Sequence, residues 1–146
     1  MFVVDTNVFV YAADRDSPHH ATCVERLESW RRTNNAWFVT WSILYEFLRV
    51  ISHPRVLRRP WPVPEAWSFL EAVLASPGLA VLTETERHAD VARQTILDLP
   101  HLAGNLLHDA HTAILMREHG VRQIYTRDTD FHRFGFLEPL DPIAAS

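Results

Sequence analysis

The length of 146 residues, with 47% hydrophobic and 22% charged side chains, is typical of one globular domain, so we expect residues 1–146 to fold as one unit. The sequence has no run of eighteen or more apolar residues, which excludes a membrane-spanning helix. A single cysteine, Cys23, excludes an internal disulfide. The first residues also lack a secretory signal, and together these features predict a cytoplasmic protein.

The charge balance restricts the function further. A formal net charge of −4 does not favour a general binder of polyanions, because contacts with phosphates dominate affinity for nucleic acids. The balance is still compatible with an enzyme that acts on nucleic acid, provided that its acidic residues are clustered around metal ions. All fourteen basic residues are arginine, so every reaction that needs a lysine is excluded.

Apolar runs and segments of helical periodicity alternate along the chain. In chain order, we predict a strand at 2–4, helices at 17–34 and 40–52 on either side of a strand at 36–39, a helix at 64–74, a strand at 79–82, helices at 83–99 and 106–119, a strand at 123–126, and a weak strand near 137–140. Strands separated by helices form parallel sheets that are covered on both faces. We therefore predict a single three-layer α/β/α domain with about five parallel strands.

Residues typical of helix ends support several of these boundaries. Ser17-Pro18 offers a capping side chain and a first-turn proline for the helix at 17–34. Thr40, Thr83 and Asn105 are each expected to cap the helix that follows. Gly120 is expected to end the helix at 106–119.

Two acidic residues come at the carboxyl ends of predicted strands. Asp5 directly follows the first strand, and Asp128 lies just past the fourth. Ligands of open parallel sheets bind beyond these strand ends. Either acid alone would most simply form a turn or cap a helix, so their shared position is the informative feature.

Two further acids lie on helices among apolar residues. Glu46 interrupts an apolar run, and Asp109 lies on the side of its helix that should face the core. The alternatives are a solvated edge position for Glu46 and a helix-dipole role for Asp109. Four carboxylates in one crevice would repel each other, and Mg²⁺ or Mn²⁺ would remove that cost. Thr6, Asn7 and Thr126 could orient a carboxylate or bind a phosphate oxygen, or could act as local caps.

Competing chemistries lack the residues that they need. A P-loop requires a glycine-rich turn and a lysine, and a dinucleotide fold requires a G-x-G-x-x-G turn. Haloacid-dehalogenase-like phosphatases and response-regulator receivers also place an aspartate after the first strand, but both normally require a lysine. The sequence contains neither a G-x-S-x-G nor an H-E-x-x-H motif. We interpret His108 and His111 as surface residues or as supports for other side chains, rather than as zinc ligands.

Four features in order along the chain resemble the motifs of a known family. They are Val-Val-Asp-Thr-Asn-Val-Phe at 3–9, Glu46 in its helix, His-Asp-Ala-His-Thr-Ala at 108–113 and Thr-Arg-Asp-Thr-Asp-Phe at 126–131. This set resembles the PIN domain and, more narrowly, the VapC toxins of bacterial toxin–antitoxin pairs. The ordered match extends over nearly the whole chain.

The resemblance implies a five-stranded parallel sheet between helices and an endoribonuclease that depends on Mg²⁺ or Mn²⁺. It implies that RNA is the substrate and that a cognate antitoxin, encoded next to the toxin, neutralises it. The metal ligands that it implies are Asp5, Glu46, Asp109 and Asp128, with Asp130 as a candidate fifth.

Some expectations stay open at this point. Trp61 and Trp67 are expected to contribute to a protein interface, which makes a homodimer a candidate assembly, although core packing is the alternative for Trp67. The arginine- and proline-rich segment 55–64 could contact RNA or the antitoxin. Two other functions also remain: a catalytically silent PIN-like module that binds RNA or protein, and a metal-dependent phosphoesterase that acts on DNA.

Overall fold

The computed structural model describes residues 1–144, which contain five strands and six helices, with a pair of helices after each of the first three strands. The strands are β1 (Phe2–Val4), β2 (Trp37–Thr40), β3 (Leu79–Leu82), β4 (Gln123–Tyr125) and β5 (Glu138–Leu140). The helices are α1 (Thr6–Ala13), α2 (His20–Arg32), α3 (Trp41–Ile51), α4 (Val63–Leu74), α5 (His88–Asp98) and α6 (Leu106–His119). A 3₁₀ turn at Thr129–Arg133 precedes β5.

The strands form one parallel sheet in the order β3-β2-β1-β4-β5. The central strand β1 pairs with β2 on one side and with β4 on the other, with Val4 opposite Tyr125. Helices pack on both faces, so the predicted three-layer α/β/α fold is confirmed. Strands β2 and β3 lie on one side of β1, and β4 and β5 lie on the other, so the strand order reverses at β1. The carboxyl ends of β1 and β4 flank this switch point, where ligands of such sheets bind.

Helix α1 was not predicted from the sequence. Its residues, Thr6–Ala13, include valines and aromatic residues that have low helix propensity. The helix forms because Val8, Phe9, Ala12 and Ala13 are buried in the core, and because the Asp5 carboxylate accepts a hydrogen bond from the first helical N–H. Tertiary packing therefore overrides the weak local preference.

Two predicted helix starts were wrong. Helix α2 begins at His20 rather than at Ser17, because the Ser17 hydroxyl accepts the N–H of His19 in the preceding turn. Helix α5 begins at His88 rather than after Thr83, because residues 84–87 form a loop that is bonded to Glu118 of α6.

The other predicted helix ends had mixed outcomes. The side chain of Thr40 caps α3 as predicted by accepting the N–H of Ile43 at 3.1 Å. Asn105 precedes α6, but its side chain makes no capping hydrogen bond. Gly120 ends α6 with a φ of 72°, the left-handed conformation that glycine adopts readily.

The core holds the sheet and the helix faces that support the strand ends. Val3 and Val4 of β1 are fully buried, as are Leu44 and Phe47 of α3 and Ala113 of α6. The carboxyl ends of β1 and β4 and the facing sides of α3 and α6 are therefore fixed by packing. Among residues 1–144, no helix is long and apolar enough to cross a bilayer.

Candidate metal centre

Asp5 lies at the carboxyl end of β1 and is held there by hydrogen bonds. One carboxylate oxygen accepts the backbone N–H of Thr6 at 2.8 Å. The other accepts the hydroxyl of Thr126 at 2.7 Å and the side-chain amide of Asn7 at 3.2 Å. The side chains of Asn7 and Thr126 therefore orient Asp5, whereas Thr6 contributes its backbone N–H and donates its hydroxyl to the carbonyl of Ile43 at 3.0 Å.

Thr126 also links β1 to the loop that follows β4. Its hydroxyl oxygen accepts the backbone N–H of Asp128 at 2.9 Å and the side-chain amide of Asn7 at 3.2 Å. One oxygen of Asp128 accepts the N–H of Asp130 at 2.9 Å, which positions the start of the 3₁₀ turn. A hydroxyl has one proton and two lone pairs, so Thr126 is saturated and fixes Asp5 and Asp128 relative to each other.

The five acids predicted from the sequence all line one cleft of about 810 Å³: Asp5, Glu46, Asp109, Asp128 and Asp130. Oxygen atoms of Asp109, Asp128 and Asp130 lie within 4.8 Å of one another. Asp109 reaches the cleft from the first turn of α6, and Glu46 reaches it from the exposed side of α3. Four segments that are distant in sequence thus bring these carboxylates together: the end of β1, helix α3, helix α6 and the loop after β4.

Glu46 differs from the other acids because it already has a cationic partner. Its carboxylate accepts two hydrogen bonds from the Arg49 guanidinium, at 2.6 and 2.9 Å. These bonds hold the pKa of Glu46 below its usual range, although partial burial opposes them. Arg49 was not singled out in the sequence, but its spacing of three residues from Glu46 within a helix is a recognisable ion-pair pattern.

Asp5 and Asp109 carry negative charge that the protein compensates poorly. Burial, together with the charges of Asp128, Asp5, Asp130 and Glu46, raises the pKa of Asp109 to about 7. Burial also raises the pKa of Asp5 to about 6, against the hydrogen bonds from Thr126 and Thr6. A bound cation would relieve both effects, because it favours the ionised carboxylates.

The donor atoms indicate which cations fit. The candidate ligands in the cleft are carboxylate oxygens, which are preferred by Mg²⁺ and Mn²⁺. Neither the nearby polar groups nor the acids include a thiolate that would favour a softer ion. The residues present therefore fit a hard divalent cation.

Ser42 and His111 make a contact near this cleft that was not expected from the sequence. The Ser42 hydroxyl, at the cleft wall, lies 3.0 Å from Nδ1 of His111, and Nε2 of His111 lies 2.9 Å from a Glu84 oxygen. Ser42 and Glu84 lie 69 and 27 positions from His111 in the sequence, so no local pattern predicts these contacts.

Comparison with known proteins identifies the family. The family model described as the PIN domain matches residues 2–137. The chain belongs to the PIN domain family. Relatives of this PIN domain include Ribonuclease VapC48 of Mycobacterium tuberculosis, which is 30% identical over an alignment that covers 96% of each chain. Ribonuclease VapC43 of the same species is 34% identical and covers 97% of both chains. The resemblance to VapC toxins that the motifs indicated is thereby confirmed.

Solved structures share the fold of this PIN domain. The VapBC2 structure from Rickettsia felis, bound to a DNA fragment from its promoter, aligns with a TM-score of 0.68 at 18% identity and covers 95% of this chain and 96% of that one. VapC20 from Mycobacterium tuberculosis, a Sarcin-Ricin loop cleaving toxin, aligns with a TM-score of 0.63 at 22% identity and covers 94% and 97%. At these identities the likeness concerns the fold.

Proposed function

We propose that this PIN domain is a toxin-type endoribonuclease that hydrolyses RNA phosphodiester bonds with a divalent cation, residues 1–146 acting as one catalytic unit. The observation that carries the proposal is the convergence of five acids on one cleft at the sheet's switch point. The ribonuclease names of the relatives support the choice of substrate.

In this proposal Asp5, Asp109 and Asp128 hold the cation, Mg²⁺ or Mn²⁺. Glu46 and Asp130 line the same cleft and add further carboxylates near the cation. When bound, such an ion stabilises charge on phosphate oxygens and makes water a better nucleophile. Thr126 keeps Asp5 and Asp128 in place through the hydrogen bonds described above. Positioning by rigid strand ends limits the reorganisation needed when substrate binds.

Arg49 has a second role in the proposal. Its side chain is 62% exposed and pairs with Glu46 at the cleft wall. An exposed ion pair of this kind is worth less than about 1 kcal/mol, so Arg49 can turn from Glu46 toward a phosphodiester. The guanidinium would then bind the scissile strand while the carboxylate faces the cation.

A side-by-side cleavage assay tests the function. Purified protein is incubated with single-stranded RNA and with DNA of the same sequence, with Mg²⁺ or Mn²⁺ and with a chelator. We expect cleavage of RNA that requires the metal. Binding of RNA without cleavage would favour the silent module, and preferential cleavage of DNA would favour the other phosphoesterase.

We further propose a protein antitoxin as the partner of this chain, in keeping with the VapBC and FitAB structures that share its fold. Trp61 and Trp67, which the sequence placed at an interface, are half-buried and packed against the core; the Trp61 ring meets Phe69 edge-on at 5.7 Å. Large exposed apolar groups lie on α3 instead, where Trp41 and Tyr45 are 43% and 65% exposed. An amphipathic helix of the antitoxin would cover this side of α3.

The segment 55–64 has a partly intramolecular role. Arg59 forms an ion pair with Asp16 at 2.7 Å, and the N–H of Trp61 bonds to the carbonyl of Ile51 at 2.8 Å. These contacts fold the segment against the end of α1 and the end of α3. Arg55 and Arg58 remain exposed, and we propose that they contact the antitoxin or RNA.

Replacing Tyr45 by Ala is expected to weaken co-purification with the antitoxin by at least about tenfold, because an exposed aromatic group at an interface centre often contributes more than 1 kcal/mol. The matched control is Leu97→Ala on α5, which removes a side chain of the same 65% exposure. Both variants should keep the stability of the parent protein. Equal capture of the two variants would place the antitoxin on another surface.

A further inference from the structure

A second cluster of potential metal ligands lies outside the acidic cleft. Glu84, in the loop before α5, His88, the first residue of α5, and His111 of α6 each offer one ligand atom, and these atoms lie within 4.8 Å of one another. His111 follows Asp109 by two residues, so the two side chains leave α6 about 200° apart around its axis. The cluster is thus separate from the carboxylates proposed to serve the nuclease reaction.

His88 is oriented by a buried carboxylate. Its Nδ1 lies 2.9 Å from Glu118, whose side chain is fully buried, in α6. The Glu118 carboxylate also accepts the backbone N–H and the hydroxyl of Thr85, so its position is fixed. Because Nδ1 of His88 faces this carboxylate, Nε2 is the ring nitrogen that remains for another ligand.

His111 is oriented in a comparable way. Its Nδ1 lies 3.0 Å from the Ser42 hydroxyl of α3, and its Nε2 faces a Glu84 oxygen at 2.9 Å. The imidazole ring lies 5.9 Å from that of His88, nearly perpendicular to it. In metal sites, ligating histidines usually bond through the other ring nitrogen to a carboxylate, hydroxyl or carbonyl group that fixes the ring.

We propose that Glu84, His88 and His111 form a binding site for a transition-metal ion of the Zn²⁺ class, which replaces the interpretation of His111 drawn from the sequence. Two imidazole nitrogens and one carboxylate oxygen are a ligand set that Zn²⁺ accepts, with a fourth position left for water. Glu118 and Ser42 are the groups that hold the two rings. The inference does not depend on the proposed nuclease function, since none of the three ligands is among the five cleft acids.

The two sites should differ in the ions that they select. Nitrogen ligands favour Zn²⁺ and Co²⁺ and bind Mg²⁺ weakly, whereas the five acids of the cleft offer carboxylate oxygens, which suit Mg²⁺. An excess of Mg²⁺ should therefore occupy the cleft and leave the histidine site free. This difference allows the histidine site to be observed alone in the intact protein.

The proposed site would also fasten the loop before α5 to the body of the protein. That loop is held to α6 by Thr85 and Arg87, which bond to Glu118. A metal shared by Glu84, His88 and His111 would add a cross-link between the same elements. Because the ion binds the folded state, it should raise the midpoint of thermal unfolding.

The test is a titration of the full-length protein with Co²⁺ in excess Mg²⁺, followed by visible ligand-field absorption. We expect one equivalent to bind and to be displaced by Zn²⁺, with a rise in the unfolding midpoint. Glu84→Gln, His88→Gln and His111→Gln should each weaken binding by at least about tenfold. The control His101→Gln, which removes an exposed histidine from the loop before α6, should bind as the parent does.

Circular dichroism checks the folding of each variant. If either histidine variant fails to fold, Glu84→Gln decides, because the Glu84 side chain is 52% exposed and its replacement should not disturb the core. Weaker binding by folded Glu84→Gln supports the site. Absence of Co²⁺ binding by the parent protein in excess Mg²⁺, or unchanged affinity in Glu84→Gln, overturns the inference.

Discussion

Replacing Asp109 by Asn is expected to lower the rate of RNA cleavage by at least about a thousandfold at saturating Mg²⁺. A neutral amide binds Mg²⁺ poorly, and loss of a cation's stabilisation of the transition state is worth several kcal/mol, with about 1.4 kcal/mol for each factor of ten. Asp5→Asn should have a similar effect, because Asp5 faces the same cleft. Single-turnover cleavage of a labelled RNA measures the rates.

The same substitution should stabilise the metal-free protein above neutral pH. The pKa of Asp109 is raised from an ordinary 3.8 to about 7 in the folded state. Below the ordinary value, Asp109 is protonated in both the folded and unfolded states, so it costs nothing. As pH rises toward 7, Asp109 loses its proton in the unfolded state first, and the free energy of unfolding falls until Asp109 ionises in the folded state too. Asparagine does not ionise, so the variant does not lose this stability.

Thermal unfolding with a chelator measures this effect. Asp109→Asn should add about 1 to 2 kcal/mol to the free energy of unfolding near pH 8, after allowance for solvent screening, and little near pH 4. The control Glu25→Gln replaces an exposed acid in the interior of α2 and should change neither cleavage nor stability. Full activity of Asp109→Asn with excess Mg²⁺ would remove Asp109 from the proposed site.

The RNA fragments are expected to carry 5′-phosphate and 3′-hydroxyl ends. Cyclic phosphates form when the ribose 2′-hydroxyl attacks, which requires a base and an acid placed beside it. His108 is the only histidine among the described residues that line the cleft, and the other titratable groups there are mainly carboxylates. Water is therefore the expected nucleophile, and a single 2′-deoxy substitution at the cut site should leave cleavage nearly unchanged.

Ser42 provides the control for this mechanism, because its hydroxyl contacts His111 at 3.0 Å and a serine nucleophile would need such a base. Ser42→Ala should keep the same product ends and most of the activity. End-group analysis with and without a chelator makes the measurement. Cyclic 2′,3′-phosphate ends, or cleavage that survives the chelator, would contradict the water-based mechanism even if RNA is cut.

Local patterns in the sequence were sufficient to predict the sheet and the positions of the acids. Apolar runs separated by helical periodicity predicted five parallel strands, since side-chain periodicity directly reflects burial. Asp5 and Asp128 could be assigned to one edge because parallel strands present their carboxyl ends together. The ordered motifs also indicated the family, and the PIN domain match over residues 2–137 confirms it.

Only the tertiary structure decided the features that depend on distant partners. Helix α1 forms through burial of Val8 and Phe9 despite poor helix propensity. The start of α5 depends on Glu118, about thirty residues away, whose buried carboxylate holds Thr85 outside the helix. The same carboxylate orients His88 toward His111. Such contacts form only when the fold brings together residues that are distant in sequence, so the spacing of residues within one segment cannot predict them.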